Sequence, residues 1–246
     1  MKAANLVMIL AGYAACLAAS SALAQEPASP APPLPDCSYE DRDALITPAG
    51  DGRHSVLDTV FRLPATWEPS DLVPIRESGF EHDGLIRLVA IADLTQLRQA
   101  AEAEGIQLQV FSAYRSYAYQ ATTFDYWVDR YGAEEARRVS ARPGHSEHQL
   151  GTAVDLGTRN GPAPWDVADW AQTPAGAWMQ ENGWRFGFMP SYPIDSLDLT
   201  CYDYEPWHWR WVGREVAAAA LASTQPLRVY LWERQATMLE EATDDP

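Results

Sequence analysis

The 246-residue sequence predicts one α+β domain built on a largely antiparallel sheet. Three observations carry this expectation. Helix-period and strand-period segments are interspersed without the regular βαβ rhythm of a parallel sheet. Ile106, Leu108 and Val110 alternate with glutamines, and Trp207, Trp209 and Trp211 alternate with His208 and Arg210, as half-buried strands do. No Gly-rich nucleotide loop opens any of the helices.

The N-terminus is read first. Lys2 precedes an apolar run, Ala3 to Leu17, and small residues end at Ala22-Leu23-Ala24. This pattern predicts a signal peptide over 1–24. The alternative is a retained anchor, for which the apolar run is short. Cys16 would suit a lipoprotein, but Tyr13 stands where that signal wants Leu. Residues 25–35 include "EPASPAPPLP", too rich in proline and small residues to pack, and read as a linker. The domain is expected over 36–236, followed by an acidic tail, 237–246.

Within the domain, Ile86, Ala90, Leu94, Leu97 and Ala101 recur at helical spacing, and Gly105 follows as a stop. The Ile106–Val110 strand comes next. Ser116 is placed to cap a helix over Tyr117–Tyr131, closed by Gly132. "AEEARRVS" reads as a short further helix. Thr173 caps another, with Pro174 at its first position and Gly183 at its end. "WRFGF" reads as a strand, "WHWRWV" as a second, and "REVAAAALA" as a helix.

Composition removes several function classes. The net charge is −16, or −17 once Lys2 is cleaved away. A chain this acidic is a poor partner for nucleic acid or an anionic membrane. Lys2 is the only lysine, so the mature chain has no Ser-Lys nucleophile, Schiff base or P-loop. Cys37 and Cys201 survive processing. In an exported chain such a pair is expected to be bridged rather than left as two buried thiols. The bridge would tie the start of the domain beside Glu205.

The segment "PGHSEHQLGTAVDLG" carries the chemistry. His148 and Asp155 are seven positions apart, so on one continuous strand they would face opposite ways. They converge only if the chain turns between them, and Gly151 is the natural turning point. His208 is the best candidate for a third ligand. The Trp207, Trp209 and Trp211 stripe reads as core, which turns His208 and Arg210 to the other face. Glu205 would face away from His208 on a regular strand, but Pro206 disturbs the strand's start. Two histidines and one carboxylate leave zinc a fourth position, the catalytic form of such a site. Glu205, unliganded, could take the proton from a water there. A non-haem iron triad uses the same donors and stays open. His145 reads as a surface or rim residue rather than a ligand, and His54 and His82 as surface.

Three stretches, "SAYRSYAYQ", "RPGHSEHQLGTAVD" and "YEPWHWRW", resemble in order the signatures of VanY-type D-alanyl-D-alanine carboxypeptidases. The upstream segment "LPATWEPSDLV" is also similar, and the likeness runs from Leu57 to Gly213. The resemblance implies the zinc-peptidase fold shared with the hedgehog signalling domain. It implies one zinc per chain on His148, Asp155 and His208, with Glu205 as general base. It makes Arg115 and Gln120 substrate-binding groups, with Ser146 lining the site and Arg115 a second oxyanion stabiliser. The implied substrate is a peptidoglycan stem peptide ending in a D-amino acid. The implied setting is an exported, periplasmic or extracellular monomer without a membrane span. Three alternatives share the zinc: an L,D-carboxypeptidase, a wall endopeptidase, and a non-catalytic wall-binding module. Asp58-Thr59 and Trp67 depart from the family's usual Asn-Lys and Tyr, which points to an altered N-terminal wall of the cleft.

Overall fold

A computed structural model describes residues 33–46 and 52–243. The signal peptide and most of the linker expected from the sequence lie outside the described residues. Short strands β1 (Arg42–Asp43) and β2 (Phe61–Arg62) pair in parallel. Strands β3 (Leu72–Pro74) and β4 (Leu85–Arg87) pair antiparallel and lead into α1 (Leu88–Ala103). Ala90, Leu94, Leu97 and Ala101 are all fully buried, as their spacing predicts. Ile86 is buried too, but in β4, because the helix starts two residues later.

β5 (Leu108–Ser112) is followed by α2 (Tyr117–Tyr131) and α3 (Ala133–Val139). The Ser116 hydroxyl accepts from Tyr119 N at 3.2 Å, satisfying one of the free amides of the α2 terminus. A 3₁₀ turn over Glu147–Leu150 leads to β6 (Ala153–Thr158). Thr173 caps α4 (Pro174–Asn182) as expected. The stretch "WRFGF" is only partly a strand. Its first residues form a 3₁₀ turn, Gly183–Phe186, and Gly187 at φ 81° reverses the chain before β7 (Phe188–Pro190). α5 (Leu197–Thr200), β8 (His208–Trp211), α6 (Arg214–Ser223) and α7 (Leu227–Thr243) complete the chain. α7 continues past residue 236, where the sequence suggested that the domain ends. Its first turns are packed: Leu227 and Leu231 are buried with Val216, Ala217 and Ala220 of α6.

The main sheet has the order β5-β6-β8-β7, every neighbour antiparallel. Side-chain alternation divides its two faces. Val154, Leu156, Trp209 and Trp211 point into a core shared with Leu94 and Leu97 of α1 and Trp178 and Met179 of α4. Gly183 lets that core close, since a Cβ there would stand 2.8 Å from the Trp209 ring. Truncating a tryptophan so enclosed costs roughly 3–5 kcal/mol. Asp155, His208 and Arg210 necessarily point to the opposite face. They are buried there under the 145–150 segment and the 191–205 loop.

Candidate metal centre

β6 and β8 place two of the three expected ligands by register alone. Asp155 stands directly opposite His208 in the ladder. His148 arrives from the 3₁₀ turn, whose start is capped by Ser146 Oγ accepting from His148 N at 3.3 Å. Gly151, at φ 71° and ψ 14°, then turns the chain into β6. One ligand atom from each of His148, Asp155 and His208 lies within 4.8 Å of the others, and all three residues are buried.

The donor set fits a zinc ion. His148 Nδ1 lies 2.7 Å from the Ala113 carbonyl, which places the ring proton on that nitrogen. Its Nε2 therefore presents a lone pair. It sits 3.2 Å from Asp155 Oδ2, misaligned, and has no hydrogen-bond partner although buried. Burial, helped by the Arg115 charge, lowers the His148 pKa to about 4, so the ring is neutral, the form that binds metals. An orphaned buried acceptor is costly, and a cation between these groups would satisfy it. His208 Nδ1 is 3.1 Å from Asp155 Oδ1, and its Nε2 is 3.0 Å from Glu147 Oε2. Burial opposes ionisation of Asp155, but the hydrogen bond and charge of His208 help hold that carboxyl well below its usual range.

Glu205 stands beside this group without joining it. Its Oε2 is 3.8 Å from His208 Nδ1 and its side chain remains 26% exposed to the cleft. Desolvation at the cleft floor, with Asp155 and Glu147 nearby, raises its pKa to about 7 against the pull of His208 and Arg115. The strand read as "WHWRWV" begins only at His208. Pro206 and Trp207 form a turn closed by His208 N donating to Glu205 O at 3.0 Å, and that turn brings Glu205 round. Four residues upstream, Cys201 is bonded to Cys37, with Cα atoms 5.2 Å apart.

Arg115 is fixed by three hydrogen bonds: Nε to Ser112 Oγ, Nη1 to Gln120 Oε1 and Nη2 to Asp155 Oδ2, at 3.0, 3.0 and 3.1 Å. Gln120 is fully buried behind it and also donates to the Ala141 carbonyl at 2.7 Å. Gln120 therefore orients Arg115 and does not reach the cleft, in contrast to the substrate contact expected of it. Ser146 does line the cleft. The cleft has a volume of about 700 Å³ and opens above His148, Asp155, His208 and Glu205. Its walls are aromatic, with Phe111, Tyr119, Trp127, Trp165 and Tyr204 among them.

The profile of the VanY family, described as D-alanyl-D-alanine carboxypeptidase, matches residues 85–214, more than half of the chain. The chain belongs to the VanY family. The YodJ protein of Bacillus subtilis (strain 168) is 39% identical over 167 residues, 66% of this chain and 61% of YodJ. The chain thus spans less than two thirds of that relative's length. Among solved structures, the LdcB LD-carboxypeptidase aligns with a TM-score of 0.67 and 31% identity, covering 80% of this chain and 98% of LdcB. VanY, the D,D-pentapeptidase of the VanB-type resistance cassette, was solved as a variant in complex with Zn(II). It aligns with a TM-score of 0.62 and 29% identity, covering 73% of this chain and 98% of VanY.

The VanY domain also holds residues that sequence reasoning passed over. Glu147 and Arg210 form a buried ion pair at 2.6 Å directly behind His208. The one available signal was Arg210, which shares the His208 face of β8. His145 is not at the rim: it is 1% exposed. Its Nδ1 pairs with the Asp58 carbonyl at 2.7 Å and its Nε2 with Asp41 at 3.1 Å. His54 and His82 are half-buried rather than on the surface. His54 Nε2 meets the Val212 carbonyl at 2.9 Å, and His82 Nδ1 accepts from Gly84 N at 2.9 Å. Asp58, expected to alter the cleft wall, is buried away from it. It accepts from Val60 N and Phe61 N and pairs with Arg228 Nε at 2.5 Å.

Proposed function

We propose that this VanY domain is a zinc-dependent carboxypeptidase that removes the C-terminal D-amino acid from peptidoglycan stem peptides ending in D-Ala-D-Ala. The observation that carries the reading is the orphaned His148 Nε2, gathered with Asp155 and His208 beneath a cleft that also presents Glu205 and Arg115. His148, Asp155 and His208 would hold the ion. When bound, zinc lowers the pKa of water and polarises a carbonyl oxygen. Glu205, with a pKa near 7, is matched to accept a proton from the attacking water and return it to the leaving amine. Arg115 uses three of its five N–H groups on Ser112, Gln120 and Asp155. The others remain for the substrate, and a peptide carboxylate is the natural anion for a guanidinium held at a strongly acidic protein's cleft. A purely structural zinc would need neither Glu205 nor Arg115, which weighs against a silent binding module.

The setting that fits is an exported, monomeric enzyme at the cell envelope. Among the described residues no helix is long and apolar enough to cross a membrane. A second reading, L,D-carboxypeptidase, is favoured by the likeness to LdcB over nearly all of that protein. The same residues would serve it.

Digestion of purified muropeptides separates these readings. Pentapeptide stems should lose their terminal D-Ala. Product from tetrapeptide stems alone would assign the L,D activity instead. A chelator should abolish hydrolysis and zinc restore it; full activity in metal-free protein refutes the mechanism. Glu205→Gln should retain zinc and lose about 10²–10⁴ in rate. Loss of the metal together with activity would make Glu205 a ligand and not a base.

A further inference from the structure

Behind His208, on the side away from the cleft, Glu147 receives three donors. Oε2 accepts from His208 Nε2 at 3.0 Å and from Ser191 Oγ at 2.5 Å, and Oε1 accepts from Arg210 Nη1 at 2.6 Å. Arg210 is itself locked, its Nη2 donating to the Arg53 and Ser55 carbonyls at 2.9 and 2.7 Å. Glu147, Ser191, His208 and Arg210 are all buried, at 6%, 2%, 3% and 1% exposure. Glu147 touches the ring nitrogen opposite to the one that faces Asp155, so it cannot share a metal with Asp155 through His208 Nδ1. Its place is behind the ligand.

We propose that Glu147 is a positioning residue that fixes the proton of His208 on Nε2 and so leaves Nδ1 to bind the metal. The inference rests on the zinc reading above. An imidazole offers one lone pair when neutral, and the hydrogen bond at one nitrogen decides what the other can do. Glu147 is an acceptor only and not one of the three gathered ligands, so its contact with Nε2 keeps a proton there, whereas the Nδ1 contact with Asp155 joins two ligands and is the one an ion between them would replace. A charge-neutral amide breaks this logic without changing shape. In the Glu147→Gln variant the new side chain has one acceptor oxygen for three donors. If that oxygen serves Arg210, the amide N–H₂ faces His208 Nε2 and moves the ring proton to Nδ1, where it blocks coordination. If it serves His208, two donors collide at Arg210.

The test uses the full chain. Zinc affinity of wild type and Glu147→Gln is measured by competition with a chromophoric chelator, with the melting temperature of the metal-stripped proteins read alongside. A folded variant that binds zinc roughly 10–100-fold more weakly is the expected result. Unchanged zinc affinity in a folded variant overturns the proposal. Should Glu147→Gln fail to fold, wild type decides. Nitrogen-15 NMR of the zinc-loaded protein should show His208 bound through Nδ1 with a retained Nε2–H, and binding through Nε2 overturns the proposal. If wild type binds no zinc, the functional reading itself has failed, a result distinct from either of these.

Discussion

Opening the Cys37–Cys201 disulfide should cost this protein both stability and turnover, and the structure sets the size of the first. The bridge joins residues 164 apart in sequence. In the chain-entropy picture a loop of that length constrains the unfolded chain by about 5 kcal/mol at 25 °C. Domains are stable by only about 5–15 kcal/mol, so the bridge is a large share of the total. At about 2–4 °C per kcal/mol for a chain of this size, Cys37→Ser should lower Tm by roughly 10–20 °C. Cys37 is exposed, so the substitution leaves no cavity there. The local consequence follows from what else is tied to the bridge. Arg228 donates to the carbonyls of Pro35 and Leu199 at 3.1 and 2.9 Å, one near each cysteine. The single Thr200 Oγ1 proton is shared between the Ser196 and Tyr202 carbonyls, at 3.0 and 3.1 Å. Together they brace the segment that ends at Glu205. The variant should therefore lose hydrolysis at temperatures well below its own melting point. Urea denaturation of both proteins, with rates measured across temperature, gives the two quantities. Equal unfolding free energies would refute the entropy argument. Equal rates at every temperature below melting would refute the bracing of Glu205.

Two further outcomes are expected. Wild type should prefer a free-acid peptide to its C-terminal amide by roughly 10–100-fold in kcat/KM, the worth of a charge-assisted hydrogen bond, and Arg115→Ala should erase that preference. If the variant slows on both substrates while the preference survives, Arg115 serves the oxyanion instead. Penicillin should form no covalent adduct by mass spectrometry, since the only lysine is Lys2 and no Ser-x-x-Lys nucleophile exists in the domain; a stable acyl-protein would refute the metal-based mechanism.

Much of the site was legible because its placement is local. Side-chain parity assigned Trp207, Trp209 and Trp211 to the core and His208 to the other face; Trp209 and Trp211 are buried there, while Trp207, ahead of β8, is half-buried and lines the cleft. Gly151 marked the turn that returns His148 to Asp155. The caps at Ser116 and Thr173 fixed helix starts for the same reason: a hydroxyl three residues before an amide is a short-range fact. What sequence reasoning missed depends on partners far away. His145 looks like a loop histidine until Asp41 and the Asp58 carbonyl are seen around it. Glu147 looks like a solvated charge until Arg210, 63 residues on, is placed behind it. The "WRFGF" stretch alternates well enough for a strand. Gly187 at positive φ instead lets its first half close a tight turn against the core.

The same long-range pairing explains how an acidic protein can bury so many carboxylates around one point. Asp155 and Glu147 flank His208, one on each ring nitrogen, and each has its own arginine: Arg115 for Asp155 and Arg210 for Glu147. The two pairs are not equivalent. Arg210 is closed off, with its bonds going to Glu147 and to backbone carbonyls. Arg115 lines the cleft and holds N–H groups in reserve. On the proposed reading, substrate charge would be met by Arg115, which also touches the proposed ligand Asp155, while Arg210 is sealed behind the opposite nitrogen of His208. Breaking a buried pair by removing one partner typically costs about 3–5 kcal/mol, because the remaining charge is stranded. Arg210 should therefore tolerate replacement worse than Arg115. Its loss takes the arginine charge from buried Glu147, leaving it only Ser191 and His208, and removes the donor to the Arg53 and Ser55 carbonyls, whereas the loss of Arg115 leaves Asp155 beside His148, His208 and any metal they hold.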